Sequence, residues 1–487
     1  MPPHPDTSPA PAASLRHAWL ALTGVGSGVL MATLDASIVN IALPSLEESL
    51  HTDFATVQWV ILSYTLVLTS FMLVMARLGD MRGKKIVYQS GMALFVIGSA
   101  LCGLSPAVGW LIAARAFQGL GAVLMQSQGP AIVTALFPSE HRGKALGVMG
   151  SIVSVGLAMG PPLGGILIAW VGWRAIFLVN VPLGLLGSVL VWRFVPTLPP
   201  LQTNQEFDLA GAVILLVTLT AYSLGLTAGQ TRGFTDVAVL ALLAMTLVGG
   251  WGFIKRERTC HQPMVDLTLF RRPDLSLSLC MSFIVFTLLG TFVLLPFFCE
   301  RVLGFSPRQT GVIMMVLPLS MGLISPVAGF LADRRGATGI RLAGLATTAL
   351  ACVLASTLHV GSSAWEVAWK MAPLGLGMGM FQSPNNSTIM GTAPPHRLGV
   401  VSGLLSLART LGNTSGVPLL TSVFAALVWR AAAVPPTPEV TEAPAAALAA
   451  GFSGSLLVAA GLGSVAFCLA LWAWRLEQRS AAESAPF

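Results

Sequence analysis

The sequence predicts an all-α membrane protein, and three observations of its composition carry that prediction. Of the 487 residues, 54% are apolar and only 10% are charged, and the mean hydropathy is +0.78. A soluble chain carries roughly 25% charged residues, and so few charges could not cover a water-facing surface of this size. The sequence lacks the alternation over about ten residues that is typical of transmembrane β-barrel strands, so the spans are expected to be helices.

Fourteen segments are long and apolar enough to be spans, because a membrane-crossing helix needs roughly 20 mostly apolar residues. In chain order they are 18–44, 56–78, 86–105, 108–129, 145–169, 174–195, 209–229, 236–254, 277–299, 309–331, 339–359, 364–391, 399–428 and 447–474.

The distribution of Lys and Arg predicts that both termini lie in the cytoplasm. With the N-terminus inside, the cytoplasmic side collects 19 of the 27 Lys and Arg residues and the outer side six, while Arg115 and Arg409 lie within spans. Cytoplasmic loops of membrane proteins are enriched in these residues. We therefore expect a multi-pass protein of the cell inner (plasma) membrane. A disordered Pro/Ala-rich tail is expected over 1–17 and a second cytoplasmic tail over 475–487.

An internal repeat divides the spans into two halves. Asp80 and Gly83, in the loop after the second span, recur 253 residues later as Asp333 and Gly336, in the loop after the tenth. A glycine–proline pattern of the fifth span recurs in the thirteenth at an offset of 256 residues. The repeat predicts two six-helix bundles, 18–195 and 276–474, joined by a segment, 196–275, that holds two additional central spans. Two like halves around a midplane site are typical of secondary transporters.

Asp35 is an acid within an otherwise apolar span, where insertion of an aspartate costs about 2.5–3.5 kcal/mol. It lies about 13 Å from the outer end of the first span, and Arg115 lies about 11 Å from the outer end of the fourth, at 1.5 Å per residue. The two side chains could therefore meet. Separating such a pair would switch the acid between proton-holding and proton-releasing states, as proton coupling requires. The alternative is an ion pair that only holds helices together.

Lys370 allows two interpretations. It could extend its ammonium to the lipid headgroups, as lysines near span ends do. It could instead be a second cation of a central cavity, which would favour an anionic substrate over a cationic one.

The remaining candidates form three sets. The repeated loops are expected to act as an inter-helix latch, with the alternative of solvated surface charge; their residues are Asp80, Arg82, Gly83, Lys84, Asp333, Arg334 and Gly336. The fifth span has residues that allow close helix packing or gating, namely Gly156, Gly160, Pro161, Gly164 and Gly165. Polar residues that could line a substrate cavity or join helices are Asn40, Tyr64, Gln118, Lys370, Asn385, Asn386, Arg409 and Asn413.

Several ordered motifs carry a family resemblance. They are Leu34-Asp35-Ala-Ser-Ile-Val-Asn40 in the first span, Ala76-Arg-Leu-Gly-Asp80-Met-Arg-Gly83-Lys-Lys85, Arg115-Ala-Phe-Gln118-Gly119, and Gly156-Leu-Ala-Met-Gly160-Pro161. Together they resemble the major facilitator superfamily, and specifically its fourteen-span drug:proton antiporter branch, although Ala76 stands where the loop motif has glycine. The resemblance implies a proton-coupled exporter of lipophilic drugs or similar small molecules. The alternative is an exporter of an endogenous metabolite or lipid, which could be anionic.

Other function classes have little support in the sequence. HExxH, GxSxG and Walker motifs are missing, so an enzyme is not expected. The six cysteines are scattered without metal-ligand spacing, so neither a metal nor another cofactor is expected. The basic residues follow membrane topology, which argues against nucleic acid as a partner. The expected partners are a small lipophilic substrate, protons and the lipid bilayer, and the chain is expected to act as a monomer.

Overall fold

The computed structural model describes residues 15–52, 54–200, 207–432 and 443–483. The first half comprises α1 (Leu15–Ser49), α2 (Phe54–Arg82), α3 (Lys84–Gly103), α4 (Val108–Leu136), α5 (Ser139–Val171), α6 (Ala175–Leu178) and α7 (Asn180–Phe194). Two central helices follow, α8 (Leu209–Arg232) and α9 (Val237–Thr259). The second half comprises α10 (Pro273–Leu288), α11 (Leu294–Phe297), α12 (Pro307–Arg335), α13 (Ala337–Ala355), α14 (Ala364–Gly391), α15 (Leu398–Ala432) and α16 (Ala445–Glu483).

The all-helical prediction is confirmed for the described residues, which contain no strand. Thirteen helical stretches among them are long and apolar enough to cross a membrane. The predicted twelfth span forms a helix with the expected bounds, Ala364–Gly391, but is not one of the thirteen. Its charged and amide side chains lower its hydropathy. The fourteen-span arrangement therefore stays a prediction.

The predicted tails differ from the helices found at the two ends of the chain. Residues 1–14 and 484–487 lie outside the described residues, so the disordered tail predicted over 1–17 falls almost wholly among them. α1 begins at Leu15, three residues before the predicted span, and α16 continues to Glu483, nine residues beyond it. Much of the segment predicted as the second tail is therefore helical.

Two predicted spans are interrupted where a proline removes a backbone donor. The sixth breaks at Val179, between α6 and α7, because Pro182 has no N–H for the carbonyl of Leu178. The ninth continues after α10 as a 3₁₀ turn (Leu289–Val293), then α11, which contains Pro296, then a π-helical turn (Phe298–Val302). The ninth span is therefore irregular over its final turns.

The two halves contact each other at one end of the bundle, which we call the basic end because it carries Arg82, Lys84, Lys144 and Arg334. On one side α5 packs on α12, where Ser151 Oγ donates to the carbonyl of Gly322 at 2.5 Å. On the other side α15 packs on α2 and α4, where Ser406 Oγ donates to the carbonyl of Gln126 at 3.2 Å.

Toward the opposite end the halves separate. Asn413 lies seven residues, or two helical turns, after Ser406 and so occupies the same face of α15. Ser406 is buried against the other half, whereas Asn413 is exposed. The hydrogen bonds between the halves are therefore found from the basic end to about the middle of the helices, and Asn413 lies beyond them.

The central helices cover the seam between α2 and α15. Thr220 of α8 is hydrogen-bonded to Ser70 of α2 at 3.0 Å, and Tyr222 of α8 is hydrogen-bonded to Ser415 of α15. At the basic end, Arg256 closes the α8–α9 pair through its guanidinium, which donates to Asp208 and lowers the pKa of that carboxyl. The added pair therefore bridges the two halves on one side.

Both ends of the described chain lie at the basic end. Trp19 of α1 stacks edge-on against Phe137 at the end of α4, with ring centroids 5.0 Å apart. Glu477 of α16 pairs with Arg341 near the start of α13, at 3.5 Å. The predicted topology adds that this end faces the cytoplasm.

That topology can be tested by placing single cysteines in a variant that lacks the six natural ones. Glu48→Cys lies at the opposite end and Glu140→Cys at the basic end, and both native side chains are exposed. We expect a membrane-impermeant thiol reagent added to intact cells to label Glu48→Cys, and to label Glu140→Cys only after the membrane is opened. The reverse pattern would contradict the assignment.

Candidate functional site

A buried carboxylate forms the centre of the first half. Asp35 of α1 is 0% exposed and accepts three hydrogen bonds from side chains of two other helices. Arg115 Nη1 donates to Oδ2 at 2.6 Å, Gln118 Nε2 to Oδ1 at 3.0 Å, and Asn180 Nδ2 to Oδ1 at 2.9 Å. All three neighbours donate, which is the arrangement that an ionised carboxylate requires. The expected meeting of Asp35 and Arg115 is therefore found.

Arg115 is fixed from several sides. Its Nε donates to the carbonyl of Val60 at 3.1 Å, and its Nη1 also donates to Gln118 Oε1 at 2.6 Å. The guanidinium lies 4.3 Å from the ring centroid of Tyr64, a cation–π contact. Arg115 is 1% exposed and Tyr64 is 4% exposed. The ion pair is therefore closed off from solvent in this conformation.

Sequence reasoning missed two members of this cluster. Asn180 begins α7 directly after the break at Val179, and Ser99 of α3 accepts a hydrogen bond from Gln118 Nε2 at 2.7 Å. Asn180 is a lone amide in an apolar span, a signal that could have pointed to it. Ser99 carries no such signal, because serine is common in membrane helices as a self-capped side chain.

The predicted latch has a specific target in the other half. The two Asp80 carboxylate oxygens accept from the backbone N–H groups of Gly399 and Val400, at 2.8 Å each, and Lys84 Nζ lies 3.0 Å from Oδ1. These amides are the first of α15, where unsatisfied N–H groups and the helix dipole favour a negative charge. Asp80 therefore joins the end of α2 to the start of α15.

The second half mirrors this contact. The Asp333 carboxylate accepts from the N–H groups of Gly143 and Lys144, near the start of α5, at 2.8 Å each. Nearby, Ser383 Oγ donates to the carbonyl of Gly143 at 3.0 Å. Each half thus caps one helix of the other through the equivalent residue of its repeat.

The other loop candidates have supporting or peripheral positions. Gly83 and Gly336 have φ of 100° and 87°, so the tight turns after α2 and α12 explain why glycine recurs there. Arg82 is exposed, and the guanidinium of Arg334 lies 4.4 Å from the ring centroid of Phe330.

The fifth-span glycines bring α5 close to α1 within the first half. A Cβ added at Gly156, Gly160 or Gly164 would collide with Thr33, Ser37 or Ile38, respectively. Gly165 has open space at its Cβ position, so it makes no such contact. Pro161 lies inside the continuous helix α5. These contacts are consistent with close packing, and a gating role for this segment stays a prediction.

Lys370 is paired with two neighbouring side chains in this structure. Its Nζ donates to Glu366 Oε1 at 2.6 Å and to Thr357 Oγ1 at 2.8 Å, and the residue is only 7% exposed. The ammonium is therefore neutralised within its own helix and held against the end of α13, near the opposite end. This pairing decides neither interpretation, so a place for Lys370 at the headgroups or in the cavity stays a prediction.

The remaining polar candidates separate into different environments. Asn385 joins α14 to α10, since its Nδ2 donates to Ser282 Oγ at 2.8 Å. Asn386 Oδ1 accepts from Arg409 Nη2 at 2.5 Å. Asn40 and Asn413 are exposed within their helices. In the described ranges, no group of three or more His, Cys, Asp or Glu is placed to hold a metal ion.

Residues 25–417 match the sequence family described as the Major Facilitator Superfamily. The chain belongs to this superfamily. Similar proteins include the riboflavin transporter RibZ of Clostridioides difficile, 34% identical, with 84% of this chain and 89% of that protein covered. The multidrug resistance protein Stp of Mycobacterium tuberculosis is also 34% identical, with 86% and 77% covered. The tetracenomycin C resistance and export protein of Streptomyces glaucescens is 31% identical, with 86% and 78% covered.

Solved structures show the same fold. The human organic anion transporter MFSD10 (TETRAN) superimposes with a TM-score of 0.67 at 18% identity, covering 93% of this chain and 99% of that one. The proton:xylose symporter XylE superimposes with a TM-score of 0.63 at 14% identity, covering 95% and 96%. The protein is therefore a multi-pass membrane transporter of the Major Facilitator Superfamily, a family of transporters and not of enzymes.

The latch of this superfamily member can be weakened by removing charge or by adding bulk. Asp80→Asn removes the charge, and Gly399→Ala adds a Cβ that would lie 2.7 Å from Asp80 Oδ1. Loss of a carboxylate cap on a helix N-terminus costs about 0.5–2 kcal/mol. We expect both variants to open the basic end, raising the rate at which a thiol reagent modifies Ser406→Cys in a cysteine-free background by about twofold to thirtyfold.

Arg82→Gln is the matched control, because it changes the charge of the same loop at an exposed position that does not touch α15. Its labelling rate should equal that of the parent. Unchanged labelling in both Asp80→Asn and Gly399→Ala would remove the latch from the mechanism.

Proposed function

We propose that the protein is a proton-coupled antiporter that exports lipophilic small molecules by alternating access. The observation that carries the proposal is the Asp35 carboxylate, buried inside a membrane helix and paired with Arg115. Relatives named for multidrug resistance, tetracenomycin C export and riboflavin transport support small organic molecules as cargo. We place the basic end in the cytoplasm of the cell's plasma membrane, as the Lys and Arg distribution favours.

Alternating access follows from the two reciprocal latches. With the basic end in the cytoplasm, the present conformation is open to the outside. Asp80 and Asp333 hold it through helix N-termini of the opposite half, and release of both contacts would let the halves tilt. Each contact is made of groups at the membrane surface that water can solvate once they part. The closed and open arrangements can therefore be close in free energy.

In this proposal, proton coupling depends on what pairs with the Asp35 carboxylate in each conformation: Arg115 in one and a proton in the other. In the present conformation three donors satisfy the carboxylate, and the hydrogen of a protonated acid would be set against one of them. Tilting of α1 relative to α4 would separate Asp35 from Arg115 and leave a buried acid that takes up a proton. One proton moving down 100 mV supplies about 2.3 kcal/mol, enough to concentrate a substrate outside.

Substitution of Asp35 by asparagine tests the coupling. The amide side chain would keep the size and one acceptor oxygen but could not exchange a proton. We expect Asp35→Asn to abolish substrate-induced proton release from purified protein over a pH series, while binding of an uncharged substrate is retained.

Glu366→Gln provides a matched control, since Glu366 is also a carboxylate of a predicted span that is paired with a basic side chain. It should release protons as the parent does. If Asp35→Asn also releases them normally, the coupling site lies elsewhere in the chain.

A further inference from the structure

Arg409 lies where the two halves begin to separate. It is eleven residues after the start of α15, about 16 Å along the helix from the basic end. Three residues before it, Ser406 makes the contact with α4 of the other half. Four residues after it, Asn413 is exposed. Arg409 therefore lies where the hydrogen bonds between α15 and the other half end, well away from either surface of the predicted membrane.

The guanidinium of Arg409 is incompletely partnered. Nη2 donates to Asn386 Oδ1, and the group lies 5.4 Å from the ring centroid of Phe286. Its Nε is buried without a hydrogen-bond partner, and none of the ion pairs found among the described residues includes it. By contrast, Arg115 and Lys370 each have a carboxylate at 2.6 Å. A cation at membrane depth without a counter-charge is costly, which marks it for function.

Gln382 provides a second, independent sign of a binding site. It lies one turn before Asn386 on α14 and is 7% exposed, yet its Oε1 has no hydrogen-bond partner. This oxygen faces α5 of the other half, where it would lie 3.7 Å from a Cβ added at Gly150. Two polar atoms without a hydrogen-bond partner, Gln382 Oε1 of α14 and Arg409 Nε of α15, therefore lie near the boundary between the halves.

We propose that Arg409, hydrogen-bonded to Asn386 and with Gln382 one turn along α14 from Asn386, binds the acidic group of the substrate, which is a lipophilic monoanion with a carboxylate. The proposal rests on the function proposed above and narrows its cargo. A carboxylate would supply the counter-charge and accept from the fork of N–H donors of the guanidinium. Phe286 provides an apolar contact for the adjoining body of the molecule. A cationic substrate would be repelled by the positive charge of Arg409. It could not pair with Asp35 instead, because that carboxylate already accepts hydrogen bonds from three side chains.

Three probes on one scaffold test the charge preference: 2-naphthoate, its methyl ester and 2-naphthylmethylammonium. Their binding to purified protein in lipid nanodiscs is measured at pH 7 without any proton gradient. We expect the parent to bind the carboxylate at least about tenfold more tightly than the ester, as a charge-assisted hydrogen bond permits. Arg409→Gln should reduce that ratio to about one, with the affinity for the ester unchanged.

Two further variants serve as controls, one for poor folding of Arg409→Gln and one for the loss of a different cation. Arg409→Lys keeps the charge but not the fork of donors, so it should retain a reduced preference for the carboxylate even if Arg409→Gln folds poorly. Lys370→Gln removes a cation that is already paired and should leave the preference intact. Thermal melting of each variant reports its folding.

The proposal is overturned if the parent shows no preference for the carboxylate, whether all three probes bind or none does. It is equally overturned if a folded Arg409→Gln keeps the preference. Because the assay contains no gradient, a failure of proton coupling at Asp35 leaves its outcome unaffected, and the two proposals can fail separately.

Discussion

Every charge inside this bundle must find its partner within the protein, because lipid offers neither hydrogen bonds nor counter-ions. Asp35 meets that constraint with three donors from α4 and α7, and Lys370 meets it with Glu366 one turn away. The packing of the first half follows from it, since the helices that carry these donors must converge on α1. Arg409 has no carboxylate partner among the ion pairs of the described residues, and it lies where we propose that the substrate binds.

At the basic end, the carboxylates are paired with backbone N–H groups at helix N-termini and not with buried side chains. Asp80 is buried and Asp333 is partly buried, so water can replace their partners only once the helices at the basic end part. Gly399 and Gly143 give the carboxylates room to approach the backbone. Each half contributes one such carboxylate and one capped helix N-terminus, so both halves take part in holding this conformation. The charged contacts at membrane depth therefore join side chains, whereas those at the basic end join a carboxylate to backbone N–H groups of the opposite half.

Much of this arrangement could be predicted from sequence, because it depends on regular spacing. Hydropathy indicated the helices, and a rise of 1.5 Å per residue brought Asp35 and Arg115 to one depth. The target of Asp80 could not be predicted, since Gly399 is 319 residues away and is recognised through its backbone. The pairing of Lys370 with Glu366 was not weighed, although the spacing of four residues on one helix could have indicated it. The break before Asn180 depends on how Pro182 is accommodated, which hydropathy does not report.

The proposed negative charge of the cargo and the proposed proton together determine how much free energy the membrane potential supplies to the exchange. If the cargo carries one negative charge, its export already runs down an inside-negative potential, and entry of one proton through the Asp35 cycle adds a second charge in the same direction. At about 2.3 kcal/mol per charge per 100 mV, the exchange gains about 4.6 kcal/mol from the potential. Export of a monocation against one proton would gain nothing from it. Arg409 without a counter-charge in one half and a fully paired Asp35 in the other would therefore suit an exchange that the membrane voltage drives.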